Sequence, residues 1–343
     1  MSKLKRLNRV VITNGYQTNA YCPCLARLQN GDLIVTFRTG GREGVLKLVR
    51  SEDKGLTWGD PVSIAEQPGR ALDMGLGLAQ LSTGTILQAY VNGKGEAYLV
   101  KSTDNGYTWA APIKLGPEGL PPGDWRYINF TYGNIREYDG KVFLPIQGYV
   151  KGQHLLRDGF LISRDGGETW EQFMTVAYGL GDEPDMIRLP SGRLLVVSRD
   201  WQSLRGHGES PILWTYSDDE GKTWAEPTST FCHLGTMYGH SPCLFLTEGG
   251  TLICAYRYVG ELGQGLCGVS FNYGSDNGST WSLENHIWVG PGKPARVLSC
   301  GYPSIVYVDD ERILCIYQMS WAQRTTTWLG VGEIEGVFFE EEE

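Results

Sequence analysis

Ser51-Glu-Asp-Lys-Gly-Leu-Thr-Trp58 returns four more times along the chain. The later copies read Ser102-Thr-Asp-Asn-Gly-Tyr-Thr-Trp109, Ser163-Arg-Asp-Gly-Gly-Glu-Thr-Trp170, Ser217-Asp-Asp-Glu-Gly-Lys-Thr-Trp224 and Gly274-Ser-Asp-Asn-Gly-Ser-Thr-Trp281. Only the last breaks the pattern Ser-x-Asp-x-Gly-x-Thr-Trp, with Gly274 in place of the Ser. Successive tryptophans stand 51, 61, 54 and 57 residues apart. A period of this size means an array of similar units, each too small to bury its own core.

Each copy sits between short β-prone runs. Leu46-Lys-Leu-Val49 leads into the first and Pro61-Val-Ser-Ile64 follows it; Ala97-Tyr-Leu-Val100 and Pro112-Ile-Lys-Leu115 flank the second. The motif therefore reads as a hairpin loop. Its Asp accepts hydrogen bonds from turn N–H groups, its Gly takes a backbone angle other residues resist, and its Trp is an apolar plug between neighbouring sheets. Nothing in it is reactive, so the copies are read as structural turns. Upstream lies a second kind of hairpin, as in Cys24–Arg38, Asp185–Arg199 and Cys243–Arg257, where apolar runs flank Asn-Gly, Ser-Gly or Gly-Gly.

Four antiparallel strands per unit, repeated, predict an all-β, six-bladed propeller. Five blades follow from the five motifs. The sixth combines Tyr302–Val308, Arg312–Gln318 and about Thr325–Ile334 with an N-terminal strand, Arg9-Val-Val-Ile-Thr13, which closes the ring and leaves no free edge between first and last blades. Residues 1–339 then form a single domain, and Glu340–Glu343 a solvated acidic tail.

Composition narrows the function. A net charge of −9 argues against nucleic acid and against an anionic membrane surface. No stretch is long and apolar enough to be read as a membrane span, and the basic N-terminal stretch lacks an apolar signal core. Eight cysteines fall mostly inside predicted strands without any Cys-x-x-Cys pair, which suggests buried free thiols, a cytoplasmic setting and no zinc site. No metal-ligand spacing or nucleotide loop is visible, so no cofactor is expected.

In a propeller the innermost strands begin at one mouth of the central channel, and the second strands end there. The entrances read Asn19–Pro23, Leu72–Met74, Tyr127–Phe130, Gly181–Asp185, Tyr238–Pro242 and Cys300–Ser304. The second strands end on Arg38, Tyr90, Gln147, Arg199, Arg257 and Gln318. One mouth would gather three Arg, several carboxylates, Tyr and His240, a convergence that marks a candidate site. Asp73 and Glu183, from different blades, could face each other across a sugar as a carboxylate pair. Structural readings compete: a Glu183–Arg199 ion pair, Asp73 as a loop cap, Tyr302 as a packing aromatic, interblade ion pairs for Arg38 and Arg257, a structural His240. Trp125, Trp201 and Trp321 near the mouth could stack on a sugar face or cover the core.

Taken over its whole length, the chain resembles the sialidase superfamily, whose propellers carry this motif as the Asp box or bacterial neuraminidase repeat. The resemblance implies a Glu at the blade 4 entrance followed by an Arg one strand later, matched by Glu183 and Arg199. It also implies a Tyr nucleophile at the blade 6 entrance, matched by Tyr302 in Gly301-Tyr302-Pro303-Ser304, with Glu183 as the base that activates it. A phenol titrating near ~10 needs such a base. Departures are as informative. Sialidases hold a substrate carboxylate with three Arg, the first in Phe-Arg-Ile-Pro; here Ala20-Tyr21-Cys22-Pro23 puts Tyr21 at that place. The third strand of blade 5, Gly263–Val269, has no Arg, leaving Arg257 one strand earlier as a substitute. The family's acid/base Asp falls in a loop that here offers Glu43.

These readings give Tyr302, Glu183, Asp73 and Glu43 as candidate catalytic residues and Arg38, Arg199, Arg257, His240 and Tyr21 as candidate substrate-binding residues. The expected function is an exo-acting glycoside hydrolase acting on a carbohydrate. The alternatives are a lyase of uronic-acid saccharides, with Tyr302 or His240 as base, and a carbohydrate-binding propeller without turnover.

Overall fold

The computed structural model describes the chain outside residues 1–3, 14–19, 40–43, 68–71, 93–95, 116–124, 131–132, 151–155, 171, 177–181, 200–211, 230–237, 260–266, 289–296, 322–330 and 343. Six antiparallel sheets follow one another as the blades of a propeller. An N-terminal strand, β1 (Leu4–Thr13), precedes blade 1, which is β2 (Ala20–Arg27), β3 (Leu33–Thr39), β4 (Gly44–Ser51) and β5 (Val62–Gln67). Blade 2 is β6 (Leu72–Gln80), β7 (Ile86–Asn92), β8 (Ala97–Ser102) and β9 (Ile113–Leu115). In blade 3 the innermost strand is broken into β10 (Trp125–Phe130) and β11 (Arg136–Tyr138), both paired to β12 (Lys141–Val150), with β13 (Leu156–Ser163) and β14 (Gln172–Thr175) outside. Blade 4 is β15 (Asp182–Arg188), β16 (Leu194–Arg199), β17 (Ile212–Ser217) and β18 (Thr228–Ser229). Blade 5 is β19 (Tyr238–Leu246), β20 (Leu252–Val259), β21 (Cys267–Ser275) and β22 (Thr280–Trp288). Blade 6 is β23 (Val297–Tyr307), β24 (Arg312–Trp321) and β25 (Val331–Glu341), with β1 as its outermost strand.

The first four copies of the octapeptide build the same turn; in the fifth the side chains of Ser275 and Asp276 lie outside the described residues. In the first, Ser51 Oγ donates to Asp53 Oδ1 at 2.8 Å and accepts from Gly55 N at 2.8 Å. Asp53 also accepts from Thr57 N at 2.8 Å and Thr57 Oγ1 at 2.6 Å, and Trp58 Nε1 donates to Gly55 O at 3.1 Å. Hydrogen bonds from Thr108 and Ser102 hold the Asp104 carboxyl down at about 2. Every tryptophan plugs the seam with the preceding blade. Trp58 packs with blade 6 residues Leu314 and Phe338, and Trp109 with blade 1 residues Ile34 and Leu48. Trp170, Trp224 and Trp281 do the same between blades 2 and 3, 3 and 4, and 4 and 5. At the remaining seam, between blades 5 and 6, Phe245 and Tyr307 pack at 5.4 Å between ring centroids. The apolar core is thus a ring of seams, which forces six sheets to stand radially.

Ring closure follows the expected route, with β1 antiparallel to β25 from Leu4 opposite Glu341 to Thr13 opposite Ile334. Two expectations shift. The third strand of blade 6 is Val331–Glu341 rather than Thr325–Ile334, and Glu340 and Glu341 are strand residues rather than a solvated tail. The acidic end is held by charge and sheet pairing: Lys5 Nζ donates to Glu340 Oε1 at 2.6 Å, and Tyr307 Oη to Glu341 Oε2 at 3.2 Å. Within β25, Gly332 lies so close to blade 1 that a Cβ there would fall 2.4 Å from Ala20 O.

Deleting residues 1–14 should expose the edge of β25 and remove Arg9, the ion-pair partner of the buried Glu335. An uncompensated buried charge costs about 3–5 kcal/mol. The expected result is a lower Tm and higher-order species on size-exclusion chromatography; a monomer with unchanged Tm would show that β1 is dispensable.

Candidate active site

The six innermost strands share an irregularity near their starts. In blades 1, 4, 5 and 6 the register breaks between Tyr21 and Cys24, Asp182 and Asp185, His240 and Cys243, and Gly301 and Ser304. At each break stands a non-glycine residue with positive φ, followed by proline. These are Cys22 at 52°, Glu183 at 55°, Ser241 at 53° and Tyr302 at 54°. A left-handed conformation costs a non-glycine residue about 1–2 kcal/mol, and residues before proline favour extended backbone. Four equivalent bulges therefore re-aim four side chains, the device that bulges supply near functional sites. Glu183 and Tyr302, the candidate base and nucleophile, occupy two of them.

Opposite the residue before each bulge lies a polar residue of the second strand. Arg38 pairs with Tyr21, Arg199 with Asp182, Arg257 with His240 and Gln318 with Gly301. Asn92 and Gln147 occupy the row in blades 2 and 3, opposite Leu72 and Phe130. Tyr90, read from sequence as the end of the blade 2 strand, lies lower, opposite Leu76, and stacks on Tyr98 at 5.4 Å.

Local contacts join these groups. Glu183 is 1% exposed; its Oε2 accepts from Ser241 N at 2.6 Å and Ser241 Oγ at 3.1 Å, and its Oε1 is 4.0 Å from Arg199 Nη1. Arg257 packs along Gly301, where a Cβ would meet its side chain at 3.0 Å, so it flanks the residue before Tyr302. Arg38 lies over the Tyr21 ring at 5.2 Å, and Cys22 N donates to Gln318 Oε1 at 2.9 Å. Tyr21 is buried and shares an apolar cluster with Cys22 and Tyr302, so it backs Arg38 and Tyr302 from below. By backbone register, Asp73 falls at the blade 2 irregularity and His240 just before Ser241. The side chains of Asp73 and His240, and all of Glu43, lie outside the described residues. So do Trp201 and the side chains of Trp125 and Trp321.

Pro23, Cys24, Gly133, Asn134, Pro242, Cys243, Pro303 and Ser304, which follow the bulges or lie beside them, line a small cavity of about 10 Å³, room for roughly one water. Asp185 is fully buried: it accepts from Leu244 N at 2.7 Å, Met186 N at 3.0 Å and Asn134 Nδ2 at 2.9 Å, and pairs with Arg136 at 3.1 Å.

Sequence reasoning missed Ser241 and Asp158. The first was legible as a Ser-Pro pair at the same repeat position as Glu-Pro and Tyr-Pro. The second, on β13, accepts a hydrogen bond from Ser198 of β16 across the blade seam, and no local signal marks it. Among the described residues, no group of three or more His, Cys, Asp or Glu is placed to hold a metal, and no helix is long and apolar enough to cross a membrane.

The model of the BNR repeat-like domain matches residues 31–234. The chain belongs to the BNR repeat-like family. As a BNR propeller of the sialidase superfamily, it is 26% identical over 247 residues to a sialidase of Bacteroides fragilis, covering 68% of this chain and 41% of that protein. The matched stretch of the BNR chain thus spans about two fifths of that relative's length. Among solved structures it resembles a Dyadobacter fermentans protein of unknown function, at 20% identity and TM-score 0.77 over 99% of both chains. It also resembles the Hadza microbial sialidase Hz136, at 19% identity and TM-score 0.67 over 94% of this chain and 65% of that one. These structural likenesses speak to the fold.

Proposed function

We propose that the protein is an exo-acting glycoside hydrolase that removes a terminal, acidic sugar from an oligosaccharide or glycoconjugate. The observation that carries this reading is the placing of Glu183 and Tyr302 at equivalent bulges, with Arg38, Arg199 and Arg257 in one register row around them. Tyr302 Oη attacks the anomeric carbon while Glu183 takes its proton. A carboxylic acid, Asp73 or Glu43, protonates the departing oxygen, and water then releases the sugar. The arginines bind the substrate's anion. The reading calls for no cofactor. The buried thiols Cys22, Cys24, Cys243, Cys254, Cys300 and Cys315 suit a reducing, cytoplasmic setting.

A panel of chromogenic glycosides and acidic oligosaccharides tests the reaction class. Release of the reporter or of a saturated sugar supports hydrolysis. An unsaturated product absorbing in the ultraviolet would replace it with uronate elimination, and binding without turnover would leave a lectin-like propeller.

Simple sialosides should be turned over weakly or not at all. Tyr21 stands where sialidases carry their first carboxylate-binding Arg, and the third strand of blade 5 offers none. Each missing charge-assisted bond is worth about 1.5–3 kcal/mol, roughly ten- to a hundredfold. Efficient cleavage of a simple sialoside would instead mean that Arg38 and Arg257 rebuild the clamp from the second strands.

A further inference from the structure

We propose that the entrance of blade 5, Ser241-Pro242-Cys243, is a rigid spacer that sets the separation between Glu183 and Tyr302, with Ser241 and Cys243 as its positioning residues. The inference rests on the hydrolase reading and deepens it, because it names what holds the base and the nucleophile of that mechanism in register.

Blade 5 stands between blade 4, which carries Glu183, and blade 6, which carries Tyr302. It grips each neighbour at two points beside the bulge. Toward blade 4, Ser241 N and Ser241 Oγ both donate to Glu183 Oε2, at 2.6 and 3.1 Å, and Leu244 N donates to Asp185 Oδ2 at 2.7 Å. Toward blade 6, Arg257 lies along Gly301, where a Cβ would meet its side chain at 3.0 Å, and Ile305 N donates to Cys243 Sγ. Asn134 of blade 3 joins the two sides: its Nδ2 donates to Asp185 Oδ2 at 2.9 Å and to Cys243 Sγ at 3.4 Å. Pro242 and Cys243 also line the same small cavity as Pro303 and Ser304, so the entrances of blades 5 and 6 meet at close quarters. Behind Glu183 there is no slack either, since a Cβ on Gly133 would fall 2.3 Å from Pro184 O.

One of these links recurs around the ring. The residue after each proline accepts a hydrogen bond from the main chain of the next blade. Asp185 accepts from Leu244 N, Cys243 from Ile305 N, and Ser304 from Leu25 N at 3.0 Å. A carboxylate, a thiol and a hydroxyl do the same task at one repeat position, so the link itself is what that position supplies. It answers a need created next to it. Glu183, Ser241 and Tyr302 hold positive φ before a proline, a backbone that persists only where its surroundings over-determine it. A base and a nucleophile two blades apart also need a fixed separation, because a misplacement of about 1 Å costs roughly a hundredfold in rate.

The experiment compares wild type, Cys243→Ala, Cys243→Ser and Ser241→Ala by kcat, KM, Tm and amide hydrogen exchange. Cys243→Ala takes the acceptor from Ile305 N. Its kcat should fall about ten- to a hundredfold with KM unchanged, the mark of an interaction realised in the transition state. Exchange should quicken at the entrances of both blade 4 and blade 6. Cys243→Ser puts an acceptor back and should restore rate and protection, whereas a thiol that only filled space would leave Ser no better than Ala. Ser241→Ala removes one of the two donors to Glu183 and tests the other end of the spacer even if Cys243→Ala folds poorly. Its kcat should drop several-fold with little change in Tm. A wild-type kcat in either Ala variant, failure of Cys243→Ser to rescue, or faster exchange confined to one of the two entrances overturns the proposal. If no sugar on the panel is turned over, the hydrolase reading fails, and hydrogen exchange alone then decides the spacer by the same rule.

Discussion

Tyr302→Phe folds with a Tm within a few degrees of wild type and loses turnover by about a hundredfold or more. The ring of Tyr302 is 6% exposed and packs with Tyr21 and Cys22, and Phe keeps that ring. What disappears is the phenolic oxygen that forms the bond to the sugar in the proposed mechanism, a loss at least as large as the 10²–10⁴ range of removed proton-transfer groups. Glu183→Gln should behave alike: the amide oxygen can still accept from Ser241, but the group no longer takes a proton. Rates and melting temperatures together decide the mechanism. Unchanged rates in Tyr302→Phe, with losses in Glu183→Gln and Asp73→Asn, would transfer the chemistry to a pair of carboxylates.

Asp185→Ala lowers stability by about 3–5 kcal/mol, the usual result of stripping one partner from a buried ion pair. Arg136 from blade 3 would lose its anion, and Leu244 N from blade 5 its acceptor. Burial alone lowers the Arg136 pKa, yet its pairing with Asp185 leaves it raised, which measures how far the charge depends on that carboxylate. Asp185→Asn should do little better. Three of the groups around the carboxylate are N–H donors besides the guanidinium, so an amide NH2 must face at least one of them. Asp185 also follows Glu183 and Pro184 directly, so activity should fall with stability. Chemical denaturation of both variants gives the measurement; a loss under 1 kcal/mol would mean that Arg136 finds another anion.

The radial architecture was legible because its signal is local. Each octapeptide carries its own turn and plug, the first four with the same set of hydrogen bonds, and one surplus strand at the N-terminus sufficed to place the closure. The arginine row was legible for a related reason: a repeat fixes register, and Arg38, Arg199 and Arg257 fall at one register position. Interactions between blades left no such trace. Asp158 and Ser198 are forty residues apart and meet only when two sheets stand side by side. The end of the last strand misled because Gly336 resembles a turn residue, whereas it sits in a strand position where Leu314 leaves no space for a side chain. The glutamates beyond it read as tail because Lys5 lies at the other end of the chain.

Leu4 lies across from Glu341, so the first and last described strands run side by side on the outermost ladder of one blade. Sequence order is then incidental to the ring. A covalent link between those ends, with a cut at the exposed Asn30-Gly31 turn, would give a circular permutant tracing the same surface with its seam moved to blade 1. Closing over the whole chain costs little more than closing over one blade, since each doubling of the loop adds only about 0.6 kcal/mol. A partner fused to either end would emerge from the rim, leaving the mouth lined by Glu183 and the arginines unobstructed.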